Sequence, residues 1–331
     1  MKQILQELTS GRPLSEQEAY DTLIGIIEGK YNETQIAALL MGINMQGATV
    51  DELLGFRRAL LDTGKPVDLS NYDTIDIVGT GGDNKNTFNI STCSAFVIAG
   101  AGYKVSKHGN GSATSVSGAS DVLAAHGVRF TDQPDVIYRA LDEAGICFFH
   151  APLFAYGMKS VGPTRRALQI PTCFNLLGPL VNPGRPKYNF LGTANLNQMR
   201  LYINILQKLG VKYGVVSSYD GYDEISLTGE FKIATNTSEM VLKPSDLKLP
   251  TVRPEDIYGG KNKEEAVQIF DNVLNGTATE QQKSVILANA GMAIHSIEQE
   301  KTAEECIAIA QESLDSGKAL KCLKKFIEIY S

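Results

Sequence analysis

The feature that most constrains the fold of this chain is a glycine-rich turn between an apolar segment and a helical segment. The turn, residues 79–83, reads Gly-Thr-Gly-Gly-Asp. The apolar run at 74–78 predicts a short buried β-strand, and residues 93–101 predict a helix. This order directs backbone N–H groups and the positive end of the helix dipole toward one point. The sequence therefore predicts an anion site there, with phosphate as the expected anion.

The turn does not match the common named phosphate motifs. A dinucleotide fingerprint requires glycine at position 84, which is Asn84, and no Gly-Lys-Ser/Thr triplet of a P-loop follows. A turn that merely joins a strand to a helix remains an alternative. Asp83 would repel a phosphate unless a cation or an amine shares the site.

The composition excludes several classes of protein. The chain has 331 residues, 43% of them hydrophobic and 21% charged, which is typical of globular proteins. A net charge of −6 gives no basic surface for nucleic acid or an anionic membrane. The N-terminus lacks an apolar signal core, and no apolar stretch approaches the ~20 residues of a membrane span. We expect a cytoplasmic protein whose five scattered cysteines are reduced and buried and form no zinc site.

Residues 1 to about 64 read as helices that form a packing or dimerisation module. Capping boxes predict helix starts at Ser15, Asn32 and Thr49, and glycines that could end these helices are Gly29, Gly47 and Gly64.

The pattern then changes to strands that alternate with helices. The predicted strands are 74–78, 103–106, 147–149, 212–217, 224–227 and 231–234, with helices such as 134–144 and 196–209 between them. The alternation predicts an α/β domain with a mostly parallel sheet. Helices return near the C-terminus, with capping boxes at Thr279 and Thr302. Residues 155–195 are rich in Gly and Pro and predict a crossing between domains with short helices.

Further polar clusters follow other predicted strands. Residues 107–118 combine a lysine, glycines and hydroxyls after the strand ending near Ser106, at the sheet edge where α/β proteins bind ligands. Asp223 and Glu224 follow another strand, and a carboxylate pair near phosphate indicates Mg²⁺. Arg165, beside Arg166, could grip a carboxylate bidentately. The alternative for each cluster is an ordinary solvated surface.

Together these motifs resemble one family, anthranilate phosphoribosyltransferase. The motifs are Gly-Thr-Gly-Gly-Asp at 79–83, Thr-Phe-Asn-Ile-Ser-Thr at 87–92, Lys-His-Gly-Asn at 107–110, Cys-Phe-Asn-Leu-Leu-Gly-Pro-Leu-Val-Asn-Pro at 173–183 and Asp-Glu-Ile-Ser-Leu-Thr-Gly at 223–229. The resemblance extends from the N-terminal helices to the C-terminus. It implies transfer of phosphoribosyl from phosphoribosyl pyrophosphate to the amine of anthranilate in tryptophan synthesis.

The resemblance also implies a domain organisation and a site. Residues 1–65, with about 160–185 packing on them, would form a small helical domain that makes homodimers, and residues 70–331 a large α/β domain. Residues implied for phosphoribosyl pyrophosphate are Gly79, Gly82, Asp83, Thr87, Asn89, Ile90, Ser91, Thr92, Lys107, His108, Gly109, Asn110, Gly111, Ser112, Ala113, Thr114, Ser115 and Ala119. Those implied for Mg²⁺ are Ser91, Asp223 and Glu224, and those for anthranilate are Gly79, Asn110 and Arg165. No general base is identified, and His108 is a candidate either for acid–base work or for positioning.

The chain departs from the family pattern at three places. Gly111 replaces an arginine, Ala119 replaces a serine, and no histidine precedes the Met-Lys of 158–159, where Ala155 lies close by. A transferase for another aromatic amine therefore stays open, as does a pyrimidine nucleoside phosphorylase of similar architecture. A non-catalytic relative that binds nucleic acid is opposed by the acidic charge and the intact carboxylate pair.

Overall fold

A computed structural model describes residues 1–112 and 115–331 of the chain, which fall into two compact units. The first unit contains residues 1–67 and 151–185, and the second contains residues 68–150 and 186–331. The helices of the described residues are α1 Lys2–Thr9, α2 Glu16–Ile27, α3 Glu33–Gln46, α4 Val50–Asp62, α5 Ile90–Gly100, α6 Ala119–Ala125, α7 Pro134–Ala144, α8 Ala151–Phe154, α9 Met158–Leu168, α10 Leu196–Leu209, α11 Lys263–Leu274, α12 Glu280–Ile297, α13 Ala303–Asp315 and α14 Lys318–Tyr330. The strands are β1 Thr74–Gly79, β2 Lys104–Gly109, β3 Ile146–His150, β4 Tyr188–Gly192, β5 Lys212–Ser218, β6 Phe231–Thr235 and β7 Glu239–Leu242.

The N-terminal helices begin where their capping residues predict. The side chains of Ser15, Asn32 and Thr49 each accept the backbone N–H three residues later, and each capping box is complete. Gly47 caps α3 with a positive φ of 82°. Gly64 follows the C-cap residue Thr63 but, unlike Gly29 after α2, does not have the positive φ of a terminating glycine. A Cβ at Gly64 would lie 2.5 Å from the carbonyl oxygen of Phe154, so close packing and not a turn requires glycine there.

The Gly- and Pro-rich residues 151–185 pack on these helices. The side chain of Asn44 donates to the carbonyl of Pro171 at 2.8 Å and accepts the N–H of Cys173 at 3.2 Å. Phe174 stacks on Phe56 of α4 with ring centroids 5.2 Å apart. The segment forms the helix α9 and the 3₁₀ helices Cys173–Leu176 and Gly178–Leu180.

The second unit is built on one seven-stranded sheet in the order β3-β2-β1-β4-β5-β6-β7. The pairs from β3 to β5 are parallel, and only β5–β6 and β6–β7 are antiparallel. The predicted α/β fold with a mostly parallel sheet is therefore confirmed. The strand order reverses at β1: β2 and β3 are added on one side of it, and β4 and the later strands on the other. Open α/β sheets bind ligands at such switch points.

One predicted strand is wrong and two strands were not predicted. Residues 224–227 form a loop, because the side chain of Asn289 replaces a neighbouring strand. It accepts the N–H of Ile225 at 3.0 Å and donates to the carbonyl of Ile225 at 2.9 Å, and Leu227 then turns the chain with a φ of 58°. The strands β4 and β7 lie in segments whose sequences did not indicate a strand.

Two helices of this unit are buried along most of their length. Helix α5 is buried along nearly its whole length and packs against β1, β2, α12 and α14. Helix α12 is buried from Ser284 to Ile294 and packs on α13. The capping boxes at Thr279 and Thr302 are confirmed at the starts of α12 and α13.

The cysteines form no disulfide among the described residues. All five are free; four are buried, as expected, but Cys322 is only half-buried. None of the helices in residues 1–112 and 115–331 combines the length and the apolar character that a membrane-spanning segment requires.

Candidate functional site

The glycine turn lies at the carboxyl end of β1, at the switch point of the sheet. Gly79 pairs with Gly192 of β4, and the next N–H, from Thr80, donates to the carbonyl of Gly192 at 2.9 Å. Gly81 and Gly82 both have a positive φ, of 69° and 76°, which a residue with a side chain adopts only with strain. The Gly-Gly pair therefore turns the chain sharply directly after β1.

Asp223 closes against this turn from the loop after β5. Its Oδ2 accepts the N–H of Gly81 at 2.6 Å, and a Cβ at Gly79 would lie 2.4 Å from the same oxygen. Gly192 is close-packed in the same way, since a Cβ there would lie 1.7 Å from the carbonyl oxygen of Asp223. Glycine at 79 is thus needed to admit the carboxylate of Asp223, and glycine at 192 to admit its backbone. The sequence pattern did not indicate Gly192, because it did not indicate the strand β4 to which Gly192 belongs.

Three carboxylates come together at this edge of the sheet. The N–H of Asp223 points to Oδ2 of Asp83 at 3.5 Å, and Oε1 of Glu224 accepts the N–H of Ser91 at 3.3 Å. Burial raises the pKa of Asp223 to about 7, and the negative charge of Asp83 adds to the effect. Burial, and then the charge of Asp223, also raises the pKa of Glu224 well above its usual range. Both shifts mean that the ionised carboxylates are destabilised at this site, and a bound cation would stabilise them.

Lys107 is a buried cation whose charge acts on Glu224. Its Nζ donates to the carbonyl of Ile77 at 2.6 Å and to Oγ of Ser91 at 3.4 Å. Burial lowers the pKa of Lys107, and the negative charges of Asp76 and Glu224 oppose that change. Lys107 lies inside β2, whereas the sequence pattern placed it in a loop after the strand.

The donor set at the carboxylates fits a hard divalent cation. Within the described residues, Oε2 of Glu224 is buried and has no hydrogen-bond partner. No group of three or more His, Cys, Asp or Glu residues with metal-binding geometry occurs there. Mg²⁺ does not need such a cage, because it commonly binds through one or two carboxylates together with substrate phosphates and water. Glu224, Asp223 and the hydroxyl of Ser91 can supply oxygens of this kind.

Helix α5 begins three residues earlier than predicted, so residues 90–92 form its first turn. Thr92 and Ile90 are buried, and the N–H of Ser91 faces Glu224. The side-chain Nδ2 of Asn89 donates to the carbonyl of Ser117 at 3.0 Å, while its buried Oδ1 has no partner among the described residues. Asn89 does not cap the helix with its side chain, and in the first turn the N–H of Ile90 donates to the carbonyl of Phe88 at 2.6 Å while that of Ser91 donates to Glu224.

The polar segment after β2 starts later than predicted, because β2 runs to Gly109 and includes His108. His108 is buried, and its N–H donates to Oδ1 of Asp76 at 3.3 Å. A Cβ at Gly109 would lie 3.0 Å from the ring of Phe148 and 3.2 Å from the Cβ of Ala119. These contacts indicate that packing is one reason for the identities of both Gly109 and Ala119.

Asp121 organises the loop that follows. Its Oδ2 accepts the N–H groups of Ser112 and Gly118, both at 2.9 Å, and its Oδ1 accepts from Lys263 at 3.0 Å. Oγ of Ser112 and Oγ of Ser115 lie 2.8 Å apart. In Asn110 the side-chain oxygen accepts the N–H of Gly111 at 2.8 Å. The predicted site residues Ala113 and Thr114 lie outside the described residues.

Arg165 belongs to the first unit, in the last turn of α9. Its Nη2 donates to Oδ1 of Asn175 at 3.1 Å, and the same oxygen accepts the N–H of Thr172 at 2.9 Å. Burial lowers the pKa of Arg165. The guanidinium is thus held by the 3₁₀ segment, whereas its neighbour Arg166 is exposed.

Comparisons with known proteins agree on one family. A model of the glycosyl transferase family α/β domain matches residues 71–320, and a model of the helical bundle domain of that family matches residues 2–64. The chain is 57% identical to an anthranilate phosphoribosyltransferase of Phocaeicola vulgatus, over 100% of both chains. It is 52% identical to the enzyme of that name from Bacteroides thetaiotaomicron, over 99% of both.

Solved structures of similar proteins carry the same name. The anthranilate phosphoribosyltransferase of Thermus thermophilus matches with a TM-score of 0.92 and 30% identity, over 99% of both chains. The enzyme of Saccharomyces cerevisiae, in complex with PRPP and Mg, matches with a TM-score of 0.92 and 28% identity, over 99% of this chain and 97% of that one.

Proposed function

Because this chain belongs to the anthranilate phosphoribosyltransferase family, we infer that it transfers the phosphoribosyl group of phosphoribosyl pyrophosphate to the amine of anthranilate. The bond between C1′ of the ribose and the pyrophosphate oxygen breaks, and a bond between C1′ and the anthranilate nitrogen forms. The products are N-(5-phosphoribosyl)anthranilate and pyrophosphate, and the nitrogen loses a proton. The reaction is a step of tryptophan biosynthesis and depends on Mg²⁺, which is also bound in a yeast relative.

One observation carries this function in the structure. The unpartnered Oε2 of Glu224 lies beside the first turn of α5 and the glycine turn, at the switch point of the sheet. A pyrophosphate needs N–H donors and a counter-cation at the same place, and this edge offers N–H groups together with carboxylates. The raised pKa of Glu224 also fits a cation site, because a bound cation would stabilise the ionised carboxylate.

The residues of the chain act on the leaving pyrophosphate in our proposal. Mg²⁺, when bound, neutralises the charge that develops on the leaving oxygens. Glu224, Asp223 and Ser91 would hold it, and the glycine turn and the start of α5 would contact phosphate oxygens. The proposed contacts with phosphoribosyl pyrophosphate also include Lys107 and the segment that follows β2. Fixing both substrates in line at C1′ lowers the barrier further.

The anthranilate contacts are proposed from the family resemblance. Arg165 binds the carboxylate, because a guanidinium can donate two parallel N–H bonds to it. Gly79 and Asn110 contact the same substrate. His108 is assigned a positioning role, since it is buried in β2 with its backbone N–H fixed by Asp76. The amine attacks as the neutral base, so no strong general base is required before the bond forms.

The assembly and location are further parts of the proposal. We expect a homodimer formed through the helical unit and a location in the cytoplasm. Sedimentation velocity over a range of protein concentrations would test the dimer, and a single species of about 36 kDa at all of them would contradict it.

One assay tests the reaction itself. Purified protein is mixed with Mg²⁺ and phosphoribosyl pyrophosphate, and the loss of anthranilate is followed by its fluorescence. Folded protein that leaves anthranilate unchanged would contradict the proposal. Parallel reactions with thymidine or uridine and inorganic phosphate test the phosphorylase alternative, and other aromatic amines test the acceptor that the departure near Ala155 leaves open.

A further inference from the structure

Asn86 joins three segments at the edge of the phosphate site, although no sequence motif singled it out. Its Nδ2 donates to the carbonyl of Gly260 at 2.9 Å, and its Oδ1 accepts the N–H of Val116 at 3.2 Å. Its backbone carbonyl accepts the N–H of Gly259 at 2.7 Å. One residue between the glycine turn and α5 is thus bonded to two segments that are distant in the sequence.

The contact with residues 257–260 has a fixed geometry. Thr87 and Tyr258 form an isolated antiparallel bridge, and the N–H of Phe88 donates to the carbonyl of Ile257 at 3.2 Å. A Cβ at Gly259 would lie 2.5 Å from the carbonyl oxygen of Thr87. The chain just before α5 therefore lies directly on the 257–260 backbone, which supports it from one side.

The contact with residues 115–118 involves a second asparagine. Asn86 accepts from Val116, and Asn89 donates to the carbonyl of the next residue, Ser117, at 3.0 Å. Both asparagines belong to the connection from β1 to α5. Two backbone groups of the 115–118 segment are therefore fixed by the same connection that carries the glycine turn.

We propose that Asn86 is a positioning residue for the binding of phosphoribosyl pyrophosphate. Asn86 holds the 115–118 segment and the glycine turn in one arrangement. This inference rests on the proposed function. Backbone N–H groups bind an anion tightly only when they are already ordered, since ordering a loop on binding reduces affinity. Asn86 supplies this order from outside the site, through its amide and not through contact with the substrate.

A kinetic comparison of two alanine variants tests the inference. Asn236 is a matched control, because its side chain also accepts a backbone N–H, from Tyr213 at 2.9 Å, and donates to a backbone carbonyl, of Val211 at 3.0 Å. Asn236 lies near the amino end of β5, whereas the glycine turn lies at the carboxyl end of β1. We expect Asn86→Ala to raise the KM for phosphoribosyl pyrophosphate about tenfold, with kcat and the KM for anthranilate within about twofold. Asn236→Ala should leave all three constants unchanged.

A second measurement does not depend on turnover. Hydrogen exchange of the Val116 amide in the substrate-free protein should become about tenfold faster in Asn86→Ala and stay unchanged in Asn236→Ala. If Asn86→Ala does not fold, Asn86→Ser, whose side chain is too short to span both partners, replaces it in both measurements.

The two readouts separate failure of this inference from failure of the proposed function. Wild-type protein that consumes no anthranilate would contradict the function, while the exchange rate of Val116 would still test the positioning role. An unchanged exchange rate would overturn the inference. An unchanged KM for phosphoribosyl pyrophosphate in an active variant would overturn it as well.

Discussion

The carboxylate of Asp223 occupies the space that a side chain at Gly79 would need. A Cβ at Gly79 would lie 2.4 Å from Oδ2 and 2.9 Å from Cγ of Asp223. The same Oδ2 accepts the N–H of Gly81 at 2.6 Å. The glycine turn and the carboxylate loop are therefore two halves of one close-packed arrangement, and neither can shift without the other.

We expect Gly79→Ala to reduce kcat/KM for phosphoribosyl pyrophosphate by about 100-fold. The added methyl group displaces Asp223, and a shift of about 1 Å at a site can cost a factor of this size. Steady-state kinetics provide the measurement. Gly229→Ala is the control, since a Cβ there meets nothing within 4 Å, and it should keep wild-type kinetics. Equal activity in the two variants would show that Asp223 adapts freely.

Neutral replacements of Asp223 and Glu224 should weaken the binding of Mg²⁺. We expect Asp223→Asn and Glu224→Gln to raise the Mg²⁺ concentration needed for half-maximal activity about tenfold, and to lower kcat, because each removes a charged oxygen ligand. The measurement is a titration of activity with Mg²⁺ after treatment with a chelator. Asp220→Asn, an exposed change in the same loop, serves as control. An unaltered Mg²⁺ dependence in both carboxylate variants would contradict the metal assignment.

Removal of the Arg165 guanidinium should act on anthranilate. A hydrogen bond to a charged group contributes about 1.5–3 kcal/mol, so Arg165→Ala should raise the KM for anthranilate about 10- to 100-fold. The KM for phosphoribosyl pyrophosphate should change little, and Arg165→Lys should recover only part of the loss, since an ammonium cannot bind bidentately. The exposed neighbour Arg166 provides the control variant, Arg166→Ala. A rise in KM that is the same for both alanine variants would argue against a specific carboxylate contact.

The capping box of α4 should matter more for stability than the equivalent box of α13. Glu52 is 1% exposed, and its Oε1 accepts the N–H of Leu14 at 3.1 Å in addition to the Thr49 contacts. Glu52→Ala leaves a buried N–H without a partner, so we expect a loss of about 2–3 kcal/mol in the free energy of unfolding. Glu305→Ala, in an exposed box that bonds only Thr302, should cost about 0.5–1 kcal/mol.

Thermal unfolding followed by circular dichroism compares these two variants. The melting midpoint should fall clearly in Glu52→Ala and only slightly in Glu305→Ala. Similar shifts for both would mean that the buried bond to Leu14 contributes little.

Some parts of this protein follow from the sequence alone, because the interactions that cause them are local. A capping box such as Thr49 with Glu52 involves residues three positions apart, and it specifies a helix start before any tertiary contact forms. The Gly81-Gly82 turn needs a positive φ that glycine adopts without strain. The motifs at 79–92 and 223–229 also indicated the family, because the order of their residues is recognisable without knowledge of their contacts.

Other parts were decided only by the tertiary structure. The residues after Asp223 are apolar enough for a strand, yet the amide of Asn289, far along the chain, takes the backbone bonds of Ile225 and leaves a loop. The strand β4 forms because it has a place between β1 and β5, where its Gly192 admits the backbone of Asp223. Asp83, which looked unsuited to a phosphate site, lies beside Asp223. These outcomes depend on groups that are far apart in the sequence, and only packing in three dimensions brings such groups into hydrogen-bonding or electrostatic range.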